Sequence, residues 1–310
     1  MSDELTTRDI DAPEGEDVPW MPPPLFKYVR LDRALAILKG RDIRFTQPRF
    51  LNDPHELSVE INPQSLTRDY YEHLVGAGVP PERAADMACG NVDSLVIKRV
   101  AWVMTEREKL GVLSLCDTAD NMLLWAHYAD EHRGAVLELD VSDLIVKRQA
   151  PDEIQAMAQV SYSDERIDFV GRGLPLWMTL NYKSAAWAYE REWRLYRSLS
   201  ALRHKTGDIY VAELPPIAVK RIIFGARAVP IEEDTIRFIQ GSADHQHIRI
   251  EKAMFSHGLV GLDFKSAGEF AGAILHGEHH FGDNWRQLRQ WVDLSKMEAA
   301  EKGVGLPPLP

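Results

Sequence analysis

The sequence predicts an α+β fold: a mostly antiparallel β-sheet with flanking helices. Three observations carry this expectation. Short β-prone runs arrive at irregular intervals, sometimes adjacent and sometimes separated by long helical stretches. No strand–helix–strand rhythm is sustained, and no Gly-x-Gly-x-x-Gly opens a helix after a strand. A Gly-Lys-Ser/Thr phosphate loop is also absent.

The elements follow in order. Residues 1–24 read as an acidic, proline-rich disordered tail. Within residues 1–20 stand seven acidic side chains and one basic one, Arg8, a net −6 with no hydrophobic periodicity. Such a stretch buries too little to offset the entropy of ordering it. Met21-Pro22-Pro23-Pro24 is a stiff spacer. A single α+β domain is expected over 25–265. Leu25 to Arg30 reads as a short strand. Leu31 to Lys39 sets Leu31, Ala34, Leu35 and Leu38 on one helical face, with Gly40 as its C-cap. Ile43 to Phe45 is a second strand. Gln47 to Glu56 holds two prolines and an Asn-Asp pair and reads as a loop. Leu66 to Leu110 is helical with a break at Gly76–Pro81. Val112 to Cys116 is β-prone. Asn121 to His132 reads as a helix that Gly134 ends, and Ala135 to Leu139 alternates as a strand. Val160 to Tyr162 and Ile209 to Leu214 are further strands, and Ile217 to Phe224 is an apolar run ending at Gly225. Ile231 to Gln240 is helical, and His247 to Glu251 with Leu259 to Phe264 closes the sheet. Residues 266–310 read as a helical extension with a frayed end.

Composition excludes several classes. Of 310 residues, 45% are hydrophobic and 27% charged, an ordinary globular balance large enough for a core without staples. The net charge of −11 rules out a whole-chain basic footprint for nucleic acid. Cys89 and Cys116 make neither a zinc cluster nor a disulfide framework. No apolar run approaches the roughly 18 residues of a membrane helix, and the start lacks a basic, apolar leader. A cytoplasmic protein with no membrane role is expected.

Four segments concentrate polar and aromatic residues beyond what packing needs. In Phe26-Lys27-Tyr28-Val29-Arg30, period two puts Phe26, Tyr28 and Arg30 on one face and Lys27 with Val29 on the other. An aromatic beside an arginine suits a flat, phosphate-bearing ligand; a half-buried strand with outward charges gives the same pattern. Phe50-Leu51-Asn52-Asp53-Pro54-His55-Glu56 is turn chemistry that also suits a ligand loop. In Trp125-Ala126-His127-Tyr128, helical spacing groups Asn121, Trp125, Tyr128 and His132, with His127 on a neighbouring stripe. The fourth runs from Lys183 through Trp187-Ala188-Tyr189-Glu190-Arg191-Glu192-Trp193-Arg194 to Tyr196. As a strand it points Glu190, Glu192, Arg194 and Tyr196 one way and Trp193 and Leu195 into the core. Two carboxylates in register either repel, with a raised pKa, or are neutralised by Arg191 and Arg194 on a solvated face. His245, His247 and the His276/Glu278/His279/His280 cluster lack a fixed ligand geometry, and no metal is expected.

Taken together, these segments resemble a widespread, uncharacterised bacterial family of unknown function, over roughly residues 25–255. The likeness rests on Phe26-Lys27-Tyr28, Phe50 through Glu56, Leu113-Ser114-Leu115, Trp125 through Gly134, Lys183 through Arg194, and Ile222-Ile223-Phe224-Gly225. More distantly the layout resembles ADP-ribosyltransferases, in which NAD binds in the cleft of a split antiparallel sheet. That resemblance implies that Glu192 holds a ribose hydroxyl and stabilises an oxocarbenium ion, while Glu190 positions the acceptor. It also implies an NAD-binding role for Tyr28 and Arg30. Phe50, Asn52, Asp53, Trp125, His127, Tyr128 and Arg194 complete the expected binding residues. An exposed or partly exposed pair of Glu192 with Arg194 contributes little, so at a transferase-like site a Glu192→Gln change would alter stability by no more than roughly 1 kcal/mol. The Ser-Thr-Ser motif of those enzymes has only Val112-Leu113-Ser114-Leu115 in its place.

The resulting expectation is a metal-independent enzyme that cleaves NAD and transfers ADP-ribose to a protein or nucleic-acid acceptor, in a toxin or phage-defence setting. The alternative is a non-catalytic module that senses a nucleotide or a partner. A metal-dependent hydrolase using Asp53, Glu56, His127 and Glu192 ranks last, because no carboxylate–histidine spacing supports it.

Overall fold

The computed structural model describes residues 23–53, 61–146, 153–165, 168, 175–228, 233–256, 260–270 and 291. The expected tail at 1–20, His55, Glu56 and the His276–His280 cluster lie outside them.

The fold is α+β, and its main sheet is mostly antiparallel. β1 (Leu25–Val29) alternates between two apolar layers and is followed by α1 (Leu31–Gly40) and β2 (Asp42–Phe45). Three helices come next: α2 (Pro63–Gly76), α3 (Pro81–Cys89) and α4 (Val92–Arg107). The helical stretch thus has a second break, at Gly90–Asn91, beyond the one expected at Gly76–Pro81. β3 (Leu110–Cys116), α5 (Met122–Tyr128), β4 (Ala135–Leu139), α6 (Ser142–Val146) and β5 (Gln155–Gln159) follow. The short β6 (Ser161–Tyr162) and β7 (Tyr182–Lys183) pair in parallel. β8 (Glu192–Ser198), β9 (Arg203–Thr206), β10 (Ile209–Glu213), β11 (Val219–Phe224), α7 (Glu233–Gly241), β12 (Arg249–Phe255) and β13 (Leu262–Ser266) complete the order.

Eight strands form the main sheet in the order β13-β12-β11-β4-β1-β3-β8-β5, with β11–β12 its parallel pair. A second sheet runs β2-β10-β9. The two meet where Thr46 bridges Val112 through two 2.8 Å backbone hydrogen bonds. Gly111 makes that approach feasible, since a Cβ there would lie 2.8 Å from the Phe45 Cβ.

One face of the main sheet packs against α1, α7 and the second sheet, through Leu31, Ala34, Leu38, Phe45, Leu137, Phe224 and Ile236. The other face receives α5, through Leu124 and the fully buried Trp125 against Phe26, Tyr28, Val136 and Ile223. Trp291 lies at 0% exposure and stacks edge-on with Phe224 and Phe270.

Two expected helix ends move. The left-handed residue closing α1 is Arg41, at φ 49°, and not Gly40. α5 ends at Tyr128, not at His132, because Asp130, Glu131 and His132 all take positive φ. The turn this makes is closed by Gly134, where a Cβ would sit 2.2 Å from the Val29 carbonyl oxygen.

Candidate functional site

The β1–β3 ladder is reduced to a single register pair, Phe26 with Cys116, while β1 pairs with β4 over five residues. The strands therefore part on one side of Phe26. A cavity of about 230 Å³ opens at this parting, walled by Phe26, Lys27 and Tyr28 of β1 and Ser114, Leu115 and Cys116 of β3. Thr46, Phe50, Leu51 and Asn52 form its rim, with Tyr128 and Leu124 of α5 beside them. Lys183, Glu190, Glu192 and Arg194 complete the lining.

Those last four residues form a buried charge cluster. The Lys183 Nζ lies 2.5 Å from Glu190 Oε2 and 3.4 Å from Glu192 Oε2. Arg194 grips both oxygens of Glu192, Nε to Oε1 and Nη2 to Oε2, each at 2.8 Å. Its Nη1 donates to the Leu180 carbonyl. Such a fork is the geometry that arginine matches best to a carboxylate. Burial pushes the Glu192 carboxyl up, but the Arg194 charge and hydrogen bonds, then Lys183 and the Ser114 hydroxyl, outweigh it and hold it at about 2. Glu190 Oε1 accepts from the Tyr128 hydroxyl at 2.8 Å.

The remaining polar groups are set by the same crowding. The Lys27 Nζ donates to the Ser114 carbonyl at 2.7 Å, across the gap that the β1–β3 ladder leaves. Burial lowers this ammonium to about 8, against the raising effect of Glu192 and with a smaller lowering by Arg33. Burial pushes the Cys116 thiol up to about 12, so it is no nucleophile at neutral pH. Burial also raises the Tyr28 and Tyr128 hydroxyls, the latter further because Glu190 stands beside it.

Of the residues expected from sequence, Tyr28, Phe50, Asn52, Tyr128, Glu190, Glu192 and Arg194 converge on the cavity. The others line other parts of the fold. Arg30 follows β1 at the start of α1, is exposed, and pairs with Asp32 at 3.2 Å. Trp125 is fully buried, donates its Nε1 hydrogen to the Ala119 carbonyl at 2.8 Å, stacks on His132 and meets Tyr28 edge-on. His127 is exposed on the outer side of α5. Asp53 is buried next to the rim but is not part of the lining.

The Glu-x-Glu geometry also differs from a strand register. Glu190 ends a short 3₁₀ turn (Ala185–Glu190), Arg191 is left-handed at φ 46°, and β8 begins only at Glu192. The kink brings both carboxylates onto Lys183. The face is buried and not solvated, Arg191 pairs instead with Asp117 at 2.7 Å, and Lys183 with Arg194 does the neutralising.

Lys27, Ser114 and Lys183 were not expected as site residues. Lys183 lies on a strand of two residues, too short to carry a periodicity signal. Among the described residues, no three His, Cys, Asp or Glu side chains gather as a metal site. No described helix is long and apolar enough to cross a membrane.

No curated protein and no solved structure matches the chain. One family model does, over residues 124–195, and its description is Protein of unknown function (DUF2971). The match takes in Tyr128, Lys183, Glu190, Glu192 and Arg194, whereas Lys27 and Ser114 stand outside it. The segment that brings the glutamate–lysine–arginine cluster to the cavity is thus the segment by which this chain is similar to an uncharacterised protein family.

Proposed function

We propose that the cavity binds NAD and cleaves its bond between nicotinamide and ribose, in the manner of the ADP-ribosyltransferases that the sequence resembles. The observation that carries this reading is the pair of buried carboxylates, Glu190 and Glu192, set beside aromatic walls in a parted antiparallel sheet. At about 230 Å³ the cavity lies below the ~300–1,000 Å³ of sites that enclose whole drug-sized ligands. It suits one half of a dinucleotide, with the rest across the mouth.

In this reading nicotinamide departs as a neutral molecule with the bonding electron pair, and the ribose carbon becomes an oxocarbenium ion. Glu192, fixed in its ionised form by Arg194, gives that ion a preoriented negative oxygen. The cluster has two cations for two carboxylates, so the benefit lies in orientation and not in net charge. Glu190, joined to the Tyr128 hydroxyl, takes the proton that the acceptor loses as it attacks the ribose carbon. The products are the ADP-ribosylated acceptor, nicotinamide and a proton.

A second reading has its own observation. Both oxygens of Glu192 are already held by Arg194, which suits a site that recognises a nucleotide without turning it over. One experiment separates the two. NAD consumption and NAD binding are measured on wild type, Glu190→Gln and Glu192→Gln, each normalised to folded protein by its unfolding transition. Catalysis requires consumption by wild type and a loss on the order of 10²–10³ in the variants, with binding kept. Binding without consumption by wild type, across protein and nucleic-acid acceptors, selects the sensor.

A further inference from the structure

Among the described residues, Lys27 is the cavity cation that no carboxylate matches. Lys183 meets both glutamates and Arg194 grips Glu192. The Lys27 Nζ has the Ser114 carbonyl as its partner, and an ammonium has three donors to give. The partner is neutral and Glu192 offsets the charge only in part, so that among the described lining residues three cations, Lys27, Lys183 and Arg194, face two carboxylates. Lys27 is half-buried, and a partly desolvated charge that is only partly matched is costly, a cost characteristic of functional sites. The neighbouring Arg33 adds to the positive character on this side. Glu192 is close enough to act on Lys27, but it is committed to Arg194.

We propose that Lys27 is the receptor for a phosphate group, and that the cavity therefore takes a phosphorylated ligand in preference to its unphosphorylated counterpart. The position supports this. Lys27 lines the cavity together with its strand neighbours Phe26 and Tyr28, with Phe50 at the rim, which suits a small molecule that carries both a ring and a phosphate. A value of about 8 keeps the ammonium mostly charged at neutral pH. A lysine reads phosphate as a point charge and needs no second fork partner. The inference rests on the reading that the cavity holds a nucleotide, but not on any turnover there.

The test compares nicotinamide mononucleotide with nicotinamide riboside, which differ by one phosphate, in calorimetric titrations of wild type, Lys27→Gln and Lys27→Arg. Wild type is expected to bind the mononucleotide roughly 10–100-fold more tightly, the range of a hydrogen bond to a charged group. Lys27→Gln removes the preference, and Lys27→Arg keeps part of it. Equal affinities in wild type, no binding of either compound, or a preference that survives in folded Lys27→Gln each overturns the proposal. If Lys27→Gln does not fold, the wild-type comparison and Lys27→Arg decide. NAD consumption with equal binding of the two compounds sinks the phosphate receptor and leaves the reaction standing. A clear preference without NAD consumption does the reverse.

Discussion

The Tyr128 hydroxyl donates to Glu190 Oε1 at 2.8 Å, tying the last residue of α5 to the turn before β8. The Tyr128 hydroxyl oxygen in turn accepts from Asn52 Nδ2 at 2.5 Å. One phenol therefore joins the rim loop, a helix end and a buried carboxylate. Tyr128→Phe keeps the ring and deletes both links. The expected result is a stability loss of roughly 1–3 kcal/mol and faster amide exchange over residues 48–53. Unchanged exchange there would mean that the loop is held by its own turn.

Glu192 makes the fold acid-sensitive in a defined window. Its folded value of about 2 lies below the ordinary 4.5, so between these pH values the unfolded chain binds more protons. The stabilisation is fully present above about pH 4.5 and is lost as pH falls toward 2. At neutral pH Glu192→Gln should cost roughly 3–5 kcal/mol, because it leaves buried cations uncompensated. This replaces the small effect expected for an exposed or partly exposed pair. Denaturant titrations of the two proteins should converge below pH 4.5, and a constant gap would refute the assignment.

Lys27 acts in the opposite direction at high pH. Its folded value of about 8 lies below the ordinary 10.5, so across that interval deprotonation favours the fold and its contribution to stability rises with pH. Cys116 opposes it in the raw curve, because its thiol is raised to about 12. The difference between wild type and Lys27→Met cancels that effect. Measured by urea unfolding, wild type should gain on the variant by on the order of 2 kcal/mol between pH 8 and 10.5.

Gly134→Ala should be among the most damaging small substitutions. The added methyl would meet the Val29 carbonyl oxygen at 2.2 Å and the Ala129 carbonyl oxygen at 2.8 Å, and backbone cannot yield as a side-chain tip does. A loss above roughly 3 kcal/mol is expected. Gly76→Ala, with nothing within 4 Å, serves as the control and should change stability by no more than about 1 kcal/mol. Comparable losses in the two would remove the steric account.

Arg30→Ala and His127→Ala should leave nucleotide affinity within about twofold of wild type, since both side chains are exposed away from the cavity. A tenfold loss in either, measured by calorimetry, would redraw the site.

Local signals in the sequence translated well where one element settles its own shape. Ala135–Leu139 alternates and is a strand with those bounds, and Leu31, Ala34 and Leu38 share the buried face of α1. Of Tyr28, Asn52, His127 and Glu192, which the sequence groups as one candidate pocket, three line the cavity and His127 does not. Trp125 was misleading: an indole that fills the core and one that stacks on a ligand look identical in sequence. The left-handed run at Asp130–His132 carries no glycine to announce it. Lys183 gains its role from tertiary neighbours, since a two-residue strand paired to Tyr162 has no period. The kink at Arg191 hid the actual geometry of the two glutamates, which period-two reasoning placed on an open face.

The Thr46–Val112 bridge has a consequence for access. It pins one end of the rim loop to β3, and six residues later the Asn52 amide is fastened to Tyr128. A segment so short, held at both points, has little slack. This side of the opening is therefore held in place, and a ligand of the kind proposed would have to fit the width it leaves before the charges inside could act on it.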